Sequence, residues 1–140
     1  MFYFLSLVIN IKLTINSILT GNIALTTLVA ATKIYPYAAN ENTTLPAIIY
    51  RINSMTPIYD KGGWAKDEVE FSIQSYSNDY SNLQDIVKAI RTAFELKRTG
   101  YDTQEIGYIY LVSFEEDHIL SSGSDIFGNK LTFKTTINKY

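Results

Sequence analysis

A chain of 140 residues is long enough for one domain with a buried core, and at 46% apolar and 19% charged residues it is globular rather than disordered. The formal net charge is −2 with no basic run, which argues against nucleic acid as a partner, because neutralising phosphates takes clustered Lys and Arg. Cysteine is missing, which excludes disulfides, thiol catalysis and cysteine-ligated zinc.

The chain starts with an apolar run, Met1 to Ile9, that ends at Asn10 and Lys12. That run is far short of the ~20 residues a membrane span requires. It also lacks the leading positive charge and the small-residue cleavage pattern of a secretory signal. It reads as a helix or strand packed on the domain or on a neighbour. Ile9, Ile11, Leu13 and Ile15 alternate like a strand, whereas Ile11, Ile15, Ile18 and Leu19 share one helical face. Both readings stand, and a helix ending near Gly21-Asn22 is preferred. Asn22 then caps a short second helix through Leu28. Lys33 to Pro36 reads as a brief strand or an extended entry, confined by Pro36 to an edge or an end.

Ala38 to Thr44 is a polar loop. Pro46 to Ile52 is a strand led by a proline, tolerated where no ladder bond is yet needed. Met55 to Gly63 reads as the longest loop, punctuated by Pro57 and Gly62-Gly63. Val69, Phe71 and Ile73 alternate with Glu70, Ser72 and Gln74, which marks a half-buried strand. From Leu83 the period changes. Leu83, Ile86, Val87, Ile90 and Phe94 form one stripe of an amphipathic helix. Ser81 with Gln84 has capping-box spacing, with Asn78 as a competing cap. Lys97, Arg98 and Gly100 suit the helix C-terminus. Ile106 to Phe114 is apolar on both sides, so it is expected to be buried on both sides or to have one side buried by a partner chain. A polar connection from Glu115 to Gly128 leads to a last strand, Leu131 to Ile137. The expectation is an α+β fold: a mainly antiparallel sheet, one long helix packed on a face and an N-terminal helix. It forms one domain, 1–140, with 1–14 as an apolar N-terminal extension.

No catalytic constellation stands out. The single histidine, His118, follows Glu115, Glu116 and Asp117, but adjacent carboxylates on an extended chain point to alternate sides and do not converge. No Gly-x-Ser-x-Gly elbow occurs, and Gly62-Gly63 precedes Trp64 and Ala65 rather than the Lys-Ser or Lys-Thr of a phosphate loop. No catalytic, cofactor-binding or metal-binding residue is therefore assigned. The eleven tyrosines weigh more, since tyrosine is enriched both in strands and at interfaces. Tyr108 and Tyr110, with Met55, Ile58 and Tyr59 of the loop and Trp64 beyond it, are the interface candidates. Ordinary sheet packing and folding of the loop onto its own domain are the competing readings of these groups. The contact reading expects the loop to be mobile in a free subunit and ordered against a neighbour.

The layout resembles the small tail-completion or tail-terminator proteins of long-tailed bacteriophages, from about Ile15 to Ile137. The resemblance rests on the N-terminal helix, Ile34-Tyr35-Pro36, and the proline-led strand Pro46-Ala47-Ile48-Ile49-Tyr50 closed by Ser54. It continues through the Gly62-Gly63 loop, the strand Val69 to Ser77, the helix Leu83 to Phe94 and the closing strands joined through Gly128. The resemblance implies a virion structural protein and no enzyme, metal or cofactor. It implies a ring, usually a hexamer, assembled in the host cytoplasm at the head-proximal end of the tail tube. Such a ring ends tail growth and joins the tail to the neck. Its partners would be itself, the tail tube protein and a neck or connector protein. DNA would pass through without sequence-specific binding, and no membrane would be involved. A neck or head–tail adaptor protein, or a non-viral α+β binding module, is the alternative.

Overall fold

The computed structural model describes residues 2–39, 43–95, 99–101, 104–121 and 124–138. Helix α1 (Phe2–Thr20) leads into α2 (Ile23–Leu28). The side chain of Asn22 accepts a hydrogen bond from the Leu25 backbone N–H at 3.0 Å and so caps α2, as its sequence position indicates. Strands β1 (Ile34–Pro36), β2 (Ala47–Asp60) and β3 (Gly63–Ser77) follow, then α3 (Tyr80–Phe94). The short β4 (Thr99–Tyr101) and β5 (Gln104–Ile106) precede the long β6 (Tyr110–Ser121) and β7 (Ser124–Asn138). Among the described residues no helix is long and apolar enough to cross a membrane.

The strands form one sheet in the order β1-β2-β3-β7-β5-β4, with β6 also against β7. Along the outer side of β7, β5 pairs at Ile137 and β6 pairs from Lys134 down to Ser124. Only β1 runs parallel to its neighbour, so the sheet is mainly antiparallel and the class is α+β.

Strand alternation gives this sheet two unlike faces. Ile48, Tyr50, Val69, Phe71, Ile73, Leu131, Phe133 and Ile137 point to one side and are buried with Ile11, Ile15 and Leu19 of α1 and Ile86, Ile90 and Phe94 of α3. Three phenylalanines join these layers. The ring of Phe94 lies 5.8 Å from Phe71 and 5.4 Å from Phe133, and Phe71 and Phe133 stack at 5.5 Å. Such offset or tilted pairs add to the hydrophobic gain from burial. The same face holds one buried polar pair, in which the Ser75 hydroxyl donates to Asn129 Oδ1 at 2.7 Å. The opposite face carries Arg51, Lys66, Glu68, Glu70, Gln74, Lys130 and Lys134, and no helix among the described residues covers it. We call it the open face.

The helices refine the expectation. The stripe of Ile11, Ile15 and Leu19 settles α1 as a helix, since Leu13, which a strand would place with Ile11 and Ile15, is exposed. At 19 residues the expected N-terminal helix, α1, is longer than the 15-residue α3 expected as the one long helix. Within the expected N-terminal extension, α1 runs from Phe2 on to Thr20. Asp79 caps α3, with its carboxylate accepting from the Ser81 N–H at 3.0 Å, in place of the Ser81–Gln84 box or Asn78. The helix ends at Phe94 with Glu95 as its C-cap, and Gly100 lies in β4, so it does not cap α3; Lys97 and Arg98 fall outside the described residues.

Two stretches read as connections are strands. Met55 to Asp60 is the second half of β2, and only Lys61-Gly62 turns the chain. The Gly62 N–H donates to Asp60 Oδ1 at 2.8 Å, and Gly63 takes φ +111, which a residue with a Cβ rarely adopts. A bulge at Asn53 puts Ile52 and Met55 on the same face and erases the period-two signal. Glu115 to Ser121 likewise continues β6, which forms a hairpin with β7. Conversely, the chain is not in strand conformation from Gly107 to Ile109, which breaks the expected single strand. Gly107 lies so close to β7 that a Cβ there would sit 2.6 Å from Thr136 Oγ1, and its N–H donates to the Thr136 carbonyl.

Two stability outcomes follow from this packing. Ile90 is 0% exposed, so Ile90→Ala is expected to cost ~2–5 kcal/mol in denaturant unfolding. Asn129→Ala strands the Ser75 hydroxyl in the core and is expected to cost ~1–3 kcal/mol. Adding Ser75→Ala to Asn129→Ala should recover part of that loss, which a double-mutant cycle measures.

Candidate assembly surface

The candidate interface residues do not converge. Met55 packs against the core and Ile58 is half-buried on the open face opposite Lys66. Tyr59, 68% exposed, stands near the β2–β3 turn opposite Trp64, whose side chain lies outside the described residues. The stretch Met55–Gly63 is therefore a paired hairpin rather than a loop awaiting a partner, and its side chains point to different sides.

Tyr108 and Tyr110 do come together. With Val112, Gly107, Glu68, Lys134 and Thr136 they line an open groove of about 480 Å³ on the open face. Both tyrosines and Val112 are about half exposed. The groove lies where the chain from Gly107 to Ile109 leaves strand conformation between β5 and β6, with Gly107 held against Thr136 and Ile109 buried in the core. A bulge between Leu111 and Ser113 then shifts the alternation at Val112. Lys134 Nζ lies 3.6 Å from Glu68 Oε1 on its floor, a loose and exposed ion pair worth little.

From Phe114 onward, β6 is exposed on both faces, and β7 is its only neighbour among the described strands. Phe114, Ile119 and Leu120 add to the exposed apolar area, with Leu120 71% exposed. Sequence reasoning missed Ile119-Leu120 because they sit in a stretch read as a polar connection. The one signal available was an adjacent apolar pair with no burial pattern around it.

The root of the β6–β7 hairpin is braced against the start of α3. The Tyr80 hydroxyl donates to Glu116 Oε1 at 3.0 Å, and the Gln84 amide approaches the same oxygen at 3.4 Å. The bond to Glu116 stabilises the protonated Tyr80 hydroxyl and raises its pKa. The Tyr80 ring meets Phe127 edge-on at 5.4 Å, and the His118 ring stacks on the same phenylalanine at 5.1 Å. His118 Nε2 lies 2.9 Å from Asp125 Oδ1, and the Asn78 amide donates to the Asp125 carbonyl. The contacts of Tyr80, Gln84 and Asn78 tie the hairpin to the start of α3, whereas those of His118 lie within the hairpin.

A second concavity, of about 410 Å³, lies between Tyr76, Gln74, Glu115, Asp117 and Lys130 on the open face. Burial, then the Asp117 carboxylate, push the Tyr76 hydroxyl up, with Arg51 opposing. The nearest carboxylates, Glu115 and Asp117, are both exposed, and Glu116 between them points to the other face. Among the described residues no group of His, Asp and Glu is arranged to hold a metal ion.

The family model for tail completion protein gp17 matches residues 14–116, from within α1 to the middle of β6. A search of curated proteins finds no match. Among solved structures, a chain described as from the "Virion of native gene transfer agent (GTA) particle" is similar in fold, with a TM-score of 0.67 at 13% identity. The superposition covers 89% of this chain and 91% of that one. With the family model spanning most of the domain, this chain belongs to the tail completion protein gp17 family, and is a structural protein of a phage tail.

Proposed function

We propose that this chain forms a closed ring, of about six copies, at the head-proximal end of the tail tube. In this reading the ring ends tail growth, joins the tail to the neck and lets DNA pass without reading its sequence. The observation that carries the reading is the exposed apolar surface of residues 108–120 on a member of a tail-completion family. A head-to-tail ring buries two different patches on every subunit, and a monomer of this family has reason to keep such area exposed until it assembles. The net charge of −2 suits a channel along which DNA slides, rather than one that grips phosphates. In the same reading the chain performs no catalysis and needs no metal or cofactor.

The terminator role is tested by removing the chain from an assembling particle. Tails of irregular, excess length and filled heads without tails are the expected products. Tails of normal length already joined to heads would contradict the role. The absence of a metal is tested at His118. His118→Ala removes one exposed pair with Asp125, worth roughly 0–1 kcal/mol. It should leave assembly intact in the presence of a chelator, and assembly that depends on His118 and on added metal would refute that.

A further inference from the structure

The tip of the β6–β7 hairpin lies outside the span that the family model matches, and it carries the most exposed apolar side chain of β6. Leu120 pairs across the hairpin with Asp125 and points to the helical side of the sheet, beyond the point where Glu116 meets α3. The Tyr108–Tyr110–Val112 groove opens on the other side, at the far end of the same strand. Ten residues of β6 separate Tyr110 from Leu120, roughly 30 Å of strand once the bulge at Val112 is allowed for. One chain therefore presents an apolar knob and an apolar hollow that cannot reach each other.

We propose that Leu120 of one copy docks into the Tyr108–Tyr110–Val112 groove of the next copy, and that this contact links the subunits of the ring. The contact rests on the ring reading above. Knob and hollow lie on opposite faces of the sheet, so each hairpin lies like a shingle over its neighbour's open face. The charges agree with this placement. On Leu120's side of the hairpin lie Glu116 and Asp125 with no Lys or Arg, while Glu115 and Asp117 point to the hairpin's own open face. The open face of β2, β3 and β7 holds Arg51, Lys66, Lys130 and Lys134 against Glu68 and Glu70.

The opposite faces also disfavour a mutual dimer. A two-fold pair making both contacts would need each hairpin to lie above its partner at one end and below it at the other, so the two hairpins would have to cross. Each pair makes one contact and leaves a knob and a hollow free for the next copy, which is head-to-tail addition.

The chain has no cysteine, which makes a disulfide test clean. In the full chain carrying Leu120→Cys and Tyr110→Cys, the two thiols are too far apart to bridge within one copy, since a disulfide needs Cα atoms within ~7 Å. Mild oxidation at about 100 µM protein should give a ladder of covalent oligomers that stops at the ring number, read by denaturing gel and native mass measurement. A control chain with Leu120→Cys and Thr56→Cys should give no ladder. Leu120→Glu, at an exposed position, should keep its unfolding midpoint and lose the oligomer. Rings that form by mass without the ladder would overturn the docking contact and leave the ring reading standing. A chain that stays monomeric and gives no ladder overturns the contact, and images of the tail end then decide the ring reading separately.

Discussion

The fold depends on one aromatic junction. Phe71 from the central strand β3, Phe133 from its neighbour β7 and Phe94 from the last turn of α3 meet ring to ring, each fully buried. Removing any one would open a cavity between helix and sheet, the most expensive kind of core defect. Because the junction fixes α3 across β3 and β7, it decides which face of the sheet is dry. α1 then extends that dry layer over β1 and β2 through Ile11, Ile15 and Leu19. The other face receives Arg51 of β2, Lys66, Glu68 and Glu70 of β3, and Lys130 and Lys134 of β7, and no helix among the described residues covers it.

That asymmetry shapes everything available for assembly. A sheet with one covered face offers its neighbours an open face and its unpaired strand edges. The β2 edge is blunted by Pro57 and by bulges at Asn53 and near Tyr59. The β6 edge is long, with a row of acids between two apolar clusters. Tyr80, Gln84 and Glu116 hold the root of that strand against α3. A hairpin braced at its root and bearing an exposed Leu120, together with a tyrosine-lined groove, suits a subunit that meets its neighbour with little ordering cost.

Legibility in the sequence followed burial. Where one face of an element is dry, the pattern was readable: the α3 stripe, the alternation of Val69 to Ile73, the cap at Asn22 and the edge position of Pro36 are all present. Where an element is wet on both sides, or where a bulge shifts its parity, the pattern vanished. The hairpin half from Met55 to Asp60 and the strand from Glu115 to Ser121 were hidden for those two reasons. Gly107 hid the opposite error, since nothing in Ile106 to Phe114 shows that the backbone must pass within van der Waals range of Thr136. Of the candidate surface, Tyr108 and Tyr110 were visible as tyrosines in excess of core needs. Leu120 was not, because its significance comes only from the strand that carries it.

The central claim is that this chain acts as a closed ring whose subunits cover one another's open face. It is tested most directly by a symmetry-resolved electron cryomicroscopy map of the junction between tail and head. The account predicts a closed ring of this chain at the end of the tube, with α1 and α3 still packed on their own sheet and the groove at Tyr108 and Tyr110 filled by a neighbouring subunit. A single copy at the junction, an open filament, or a ring in which that groove faces only solvent would contradict it.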